Sequence, residues 1–198
     1  NMKRKAIKIL GYVFLTLGVL ALGVYVWTRS LKPNYEGTLK LDGVNAPITV
    51  YFDDYGIPHI EAENELDATV ALGYVHAQDR LWQMELLRRI GRGELSALFG
   101  ERAWATDQLF LTLGIQENSQ KQIDKLKSTD PEFQLLQAYL SGINQFQENG
   151  PTPIEFYLTG VKKRPFTILD VYNSLGYMAF SFAIGQRTDP MITHINNT

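Results

Sequence analysis

The chain passes through three rhythms of hydrophobic and polar positions. Lys3, Arg4, Lys5 and Lys8 precede an uncharged run from Ile9 to Trp27. As a helix that run measures about 29 Å at ~1.5 Å per residue, enough to cross a bilayer core. From Gly37 the pattern turns to alternation. Thr38–Leu41, Ile48–Phe52 and Pro58–Ala62 read as short strands, with Gly43-Val44-Asn45 and Asp53-Asp54-Tyr55-Gly56 as turns. Three strands alone do not bury a stable core, so this meander needs a further sheet to join.

From Asn64 the period becomes helical. Leu66, Val70, Gly73, Ala77, Leu81 and Met84 recur at the spacing of a core-facing stripe. Asn64 is placed to cap this long helix, Asp67 adds negative charge in its first turn, and Gly91 and Gly93 are expected to stop it before a short second helix. Ala103–Leu113 and Gln116–Lys127 read as further helices, the second polar and on the surface. Pro131 opens another, with an inner stripe of Phe133, Leu136, Tyr139, Leu140 and Ile143, ending near Asn149-Gly150-Pro151. Pro153–Leu158 gives one short helical turn. Thr167 caps a last helix whose body, Val171 to Ile184, is apolar nearly all round, the pattern of a helix enclosed by other structure.

Charge changes this picture in two places. His76, Gln78, Asp79, Arg80, Gln83, Glu85, Arg88 and Arg89 crowd onto the central helix beside its apolar stripe. Buried charges need partners, and Glu85 stands four residues before Arg89 and three before Arg88, so local ion pairs are expected. At the N-terminus, the basic flank and the aromatic Tyr25 and Trp27 at the far end orient the apolar helix with its positive end in the cytoplasm. The run is longer than the about 7–15 apolar residues of a signal peptide and lacks a small-x-small exit, which favours an uncleaved anchor over a cleaved leader. The expected organisation is residues 1–29 as basic flank and transmembrane anchor or signal segment, 30–36 as a tether, and 37–198 as one folded region.

The 198 residues carry 19 Lys and Arg against 21 Asp and Glu, with no basic run on a predicted folded element, so no nucleic-acid partner is expected. Lys162, Lys163 and Arg164 read as a solvated loop, with a membrane-surface or anion site as the alternative. There are no cysteines, which excludes a disulfide scaffold, a thiol nucleophile and thiolate metal sites. His59, His76 and His194 match no zinc spacing, and no serine lies in a G-x-S-x-G elbow. His76 with Asp79 offers a base or metal ligand beside a carboxylate, although a hydrogen-bonded helix histidine is the simpler reading. Asp53-Asp54 reads as turn chemistry.

GYVHAQDRLWQMELLRR followed by GELSALFG, with DDYGIPHIEAENELDA just ahead, resembles the opening of the α-subunit in the penicillin acylase family of N-terminal-nucleophile hydrolases. The resemblance is close over Tyr51–Gly100 and looser elsewhere. It implies an α+β fold in which a mostly helical α-chain contributes to an αββα sandwich. It also implies a precursor that cuts itself into this chain and a longer β-chain, whose new N-terminal residue, usually Ser, is the nucleophile. No catalytic residue is then expected among these 198 positions. A late α-chain helix lines the family's acyl pocket, and Tyr177–Phe182 is similar to that segment. Met178 and Phe182 match its hydrophobic pair, and Ser181 falls where some members carry a cationic side chain. Many family members hold a structural Ca²⁺ between chains through one acidic residue shortly after this helix. The aligned position lies at or next to Thr188, making Asp189 the expected metal ligand, with no cofactor for catalysis.

The function so implied is amide hydrolysis of a small N-acylated substrate, penicillin-like or N-acyl-homoserine-lactone-like, by an extracytoplasmic, membrane-anchored enzyme at the periplasmic face or cell surface. A non-catalytic, membrane-anchored helical interaction protein is the alternative.

Overall fold

The computed structural model describes residues 2–185. The N-terminal helix α1 (Met2–Ser30) is continuous, and its apolar stretch, Ile7–Ser30, has a mean hydropathy of 2.2 and no buried residue. Length and composition suit a membrane-crossing segment or a signal sequence equally. Strands β1 (Thr49–Phe52) and β2 (Pro58–Glu61) form an antiparallel hairpin in which Val50 faces Ile60 and Tyr51 faces His59. Asp53 holds the turn by accepting the Tyr55 and Ile57 amides, both at 2.9 Å.

The first expected strand, Thr38–Leu41, does not form. Side chains take the backbone groups that a ladder would need nearby. The Asp42 amide donates to Gln145 Oε1 and its carbonyl accepts from Gln145 Nε2. The Asn45 and Ala46 amides donate to the Asp67 carboxylate. Burial raises the Asp67 carboxyl, but these bonds and those from Asn45 and Asn64 side chains outweigh it and hold Asp67 below the usual range.

Helix α2 (Glu65–Arg92) is the axis of the body. Asn64 caps it as expected, its side chain accepting the Asp67 amide. The helix runs through Gly91 and ends at Gly93, whose φ of 64° places it in the left-handed region that a helix-terminating glycine supplies. Gly91 is required for another reason: the Asn173 side chain packs where a Cβ would stand. Val70, Gly73, Ala77 and Leu81 of the expected stripe are buried, but its two ends are not, and the sealed face is wider than the stripe. Leu66 is exposed and Met84 only half-buried, while Asp67, Val70, Ala71, Ala77, Leu81, Glu85 and Arg88 are buried. Apolarity missed part of this face because two of its deepest side chains, Glu85 and Arg88, are charged and paired with each other. At Arg80 the backbone leaves helical geometry (φ −133°, ψ 18°), kinking α2 at mid-length.

After α2 come α3 (Ser96–Phe99), a 3₁₀ turn at Gly100–Ala103, α4 (Trp104–Leu113) and α5 (Ile115–Ile123). Then follow α6 (Pro131–Asn149), α7 (Ile154–Thr159) and α8 (Ile168–Gly185). The core lies where α2 crosses α6, with Ala77 and Leu81 against Leu140, Ile143 and Phe146. Phe156 of α7 and Phe166 of the loop before α8 close it. The helices meet almost backbone to backbone. A methyl group on Gly73 would overlap the Tyr139 carbonyl, and one on Gly142 would overlap the Val70 carbonyl.

Helix α8 is enclosed on one side only. Asp170 and Asn173 are buried, whereas Leu175, Met178 and Phe182 are exposed, so the expected all-round cover is not supplied by the described residues.

Candidate functional site

The polar cluster on α2 separates into two groups with different work. Toward the core, Glu85 pairs with Arg88 and, at 2.6 Å, with Arg89, as the spacing predicts. The sequence did not disclose the rest. Arg88 also reaches Asp170 of α8 at 3.8 Å and donates to the Arg164 and Pro165 carbonyls. Arg92 grips Asp170 through two nitrogens, at 2.8 and 3.1 Å. Burial pulls the Arg88 guanidinium below its ordinary value, while Glu85 and Asp170 push back. Asp170 also accepts the Thr167 amide and hydroxyl, each at 2.9 Å, so one carboxylate both caps α8 and ties it to α2. The signal was available: Asp170 is the only charged residue among 168–185.

Toward the surface, His76 Nδ1 lies 2.5 Å from the Tyr139 hydroxyl. Its imidazole is pulled down from 6.5 by burial, further by the Arg80 charge, and partly restored by Asp79. Asp79 has a different partner. It accepts the Tyr35 hydroxyl at 2.8 Å, and burial together with this bond pushes that phenol up to about 12. His76 and Asp79 therefore serve separate contacts. Among the described residues no group of three or more His, Asp or Glu is arranged to hold a metal. His59 stacks on Tyr51 and lies 3.3 Å from Asp53, while His194 lies outside the described residues.

Where α2, α6 and α8 converge, a groove of about 400 Å³ opens on the surface. Met84, Leu87, Leu175 and Met178 give it apolar walls, and His76, Arg80 and Tyr139 stand among its polar lining. Met178 is thus a groove residue. Phe182, one turn further along α8, is 76% exposed and does not line the groove. The Ser181 hydroxyl turns back onto its own helix, donating to the Tyr177 and Met178 carbonyls at 3.0 Å. Asp189, the expected calcium ligand, lies outside the described residues.

A helical scaffold with one small hairpin, presenting an apolar helix edge beside a groove, is the class of structure these features define. The Penicillin amidase family model matches residues 47–197, and the chain belongs to that family. It is 41% identical over 139 residues to penicillin acylase 2 proenzyme of Pseudomonas sp. strain SE83, covering 70% of this chain and 18% of that protein. It is 32% identical over 127 residues to the acyl-homoserine lactone acylase QuiP of Pseudomonas fluorescens, covering 63% of this chain and 15% of that one. A solved thermostable penicillin G acylase from Alcaligenes faecalis superposes with a TM-score of 0.60 at 28% identity, over 69% of this chain and 74% of the matched chain. The chain spans less than a fifth of the length of these curated relatives.

Proposed function

We propose that this chain is the α-chain portion of an autoprocessed amidohydrolase that cleaves the acyl amide of a penicillin-like or N-acyl-homoserine-lactone-like substrate. The observation that carries the proposal is the open apolar edge of α8, with Met178 in the groove, on a chain of the Penicillin amidase family. Such an edge suits a surface completed by a β-chain from the same precursor, and the name proenzyme borne by penicillin acylase 2 agrees with that origin.

The nucleophile is assigned to the first residue of the β-chain, a serine. A free α-amine has an ordinary pKa near ~7.7–8.0, so near neutral pH it accepts the proton of its own residue's hydroxyl without a histidine. The oxygen then attacks the amide carbonyl, donors held in place stabilise the oxyanion, the amine leaves with a proton, and water hydrolyses the acyl-enzyme. This chain contributes pocket wall and scaffold: Met178, Phe182 and Ser181 border the acyl group, and Asp189 donates to a structural Ca²⁺. Helix α1 is retained as a membrane anchor and places the enzyme outside the cytoplasm.

Intact-mass measurement of the full gene product tests the reading. Two chains are expected, the second beginning with Ser. A single uncut chain without acylase activity would establish instead the non-catalytic, membrane-anchored interaction protein.

A further inference from the structure

Helix α1 does not end in a free tether. Trp27, near its C-terminal end, packs edge-to-face on Tyr157 of α7 with ring centroids 5.5 Å apart. The residues that follow are pinned to the body as well. Leu31 and Pro33 share a cleft with Pro151, Pro153 and Glu155. The Asn34 carbonyl accepts from Gln78 at 2.9 Å, and Tyr35 is held by Asp79. The body therefore meets the end of the apolar helix at a fixed place, and that place is α7.

Depth follows from this contact. Trp27 stands three residues before the end of the apolar stretch Ile7–Ser30, roughly 4.5 Å along the axis, the level at which tryptophan marks a bilayer boundary. Tyr157 touches it and so shares that level. Next to Tyr157, Leu158 is 77% exposed, the most exposed aliphatic side chain on the described body. Two residues after the α7 cap at Gly160 comes Lys162, which is exposed. The one carboxylate on α7, Glu155, is half-buried in the cleft behind. An aromatic ring, a protruding leucine and a lysine beside the exit of an apolar helix form an interfacial anchor in composition.

The geometry points to a second membrane contact: the α7 corner, through Tyr157, Leu158 and Lys162, lies in the headgroup boundary of an anionic leaflet and seats the enzyme body on the bilayer. This rests on the reading of α1 as a retained anchor. It changes Lys162 from a solvated loop residue into a lipid-facing one. Two points of attachment also remove the swing that a single flexible tether would allow, so the groove beside α8 keeps one orientation to the membrane.

The test uses the full gene product reconstituted in phosphatidylcholine vesicles containing phosphatidylglycerol. Cysteine is absent from these 198 residues, so Leu158→Cys, Leu15→Cys in mid-α1 and Gln122→Cys on exposed α5 each add one labelling site to this chain, read against the unsubstituted protein treated identically. At 158, iodide quenching about fivefold weaker than at 122 is expected, together with quenching by lipids bearing a nitroxide near the headgroup. The label at 15 should respond to nitroxides deep in the acyl chains. If 15 is embedded while 158 is as open to iodide as 122, the docking is overturned and the anchor stands. Shielding at 158 without lipid quenching means that protein covers it, which also overturns the docking. Loss of the α1 label by cleavage, or its failure to meet lipid, removes the anchor reading and this inference with it.

Discussion

At the scale of single residues, the decisive feature is that charge inside this fold is paired rather than excluded. Glu85 and Arg88 are both buried and in contact, and removing Glu85 strips Arg88 of its nearest counter-ion, leaving it only the longer pairing with Asp170. Glu85→Ala should therefore destabilise the protein by about 3–5 kcal/mol, read as a fall in the denaturation midpoint. Arg89→Ala should cost far less, because Arg89 is partly exposed and Glu85 keeps Arg88. His76 gives the opposite kind of prediction. Its imidazole is depressed in the folded state, so below its ordinary pKa the unfolded chain takes up the proton first. Stability contributed by neutral His76 is present above about pH 6.5 and is lost as pH falls from there toward the folded value. A His76→Gln variant should show a shallower loss of thermal midpoint between pH 7 and pH 5 than the parent. Equal slopes would remove His76 from the account.

At the scale of elements, the closest approach of α2 and α6 depends on two glycines facing opposite ways across the crossing. Gly73 lies under the Tyr139 carbonyl and Gly142 under the Val70 carbonyl. Neither obstacle is a flexible side chain, so Gly142→Ala should force the helices apart and cost about 1–3 kcal/mol, with Gly73→Ala similar. Equilibrium unfolding in urea checks this, since a change within error for both would mean that the helices separate freely. Element ends were largely legible in the sequence because they depend on neighbours: the Asn64 cap, Pro131 opening α6 and the stop at Asn149-Gly150 are all local signals. Thr38–Leu41 alternated like a strand and formed none. Nearby backbone groups are claimed by Gln145, 103 positions away from Asp42, and a local pattern carries no record of so distant a competitor. The pairing of Arg92 with Asp170 spans 78 positions and was illegible for the same reason, although a lone carboxylate in an apolar helix marked where to look.

At the scale of the whole molecule, the candidate site was readable only by resemblance. The residues themselves offered no nucleophile and no metal cluster, and the apolar helix α8 was correctly placed but expected to be enclosed. Its open edge is what a second chain would cover. Within the proposed enzyme, Met178→Ala and Phe182→Ala should each shift the ratio of kcat/KM between an arylacetyl and a long-chain acyl amide, by about tenfold where one or two methylenes of contact are lost. Met178, which already lines the groove, should give the larger shift. An unchanged ratio in both variants would place the acyl pocket elsewhere.

The grip of Arg88 and Arg92 on Asp170 has a metrical consequence. Because Asp170 is the only carboxylate on α8, sliding the helix by one turn in either direction would leave both arginines without a carboxylate to face. The pair therefore acts as the zero mark of a ruler. From it, at ~1.5 Å per residue, Met178 stands about 12 Å along the axis and Phe182 about 18 Å. That ion pair thus sets the longitudinal position of side chains proposed to measure the substrate's acyl group.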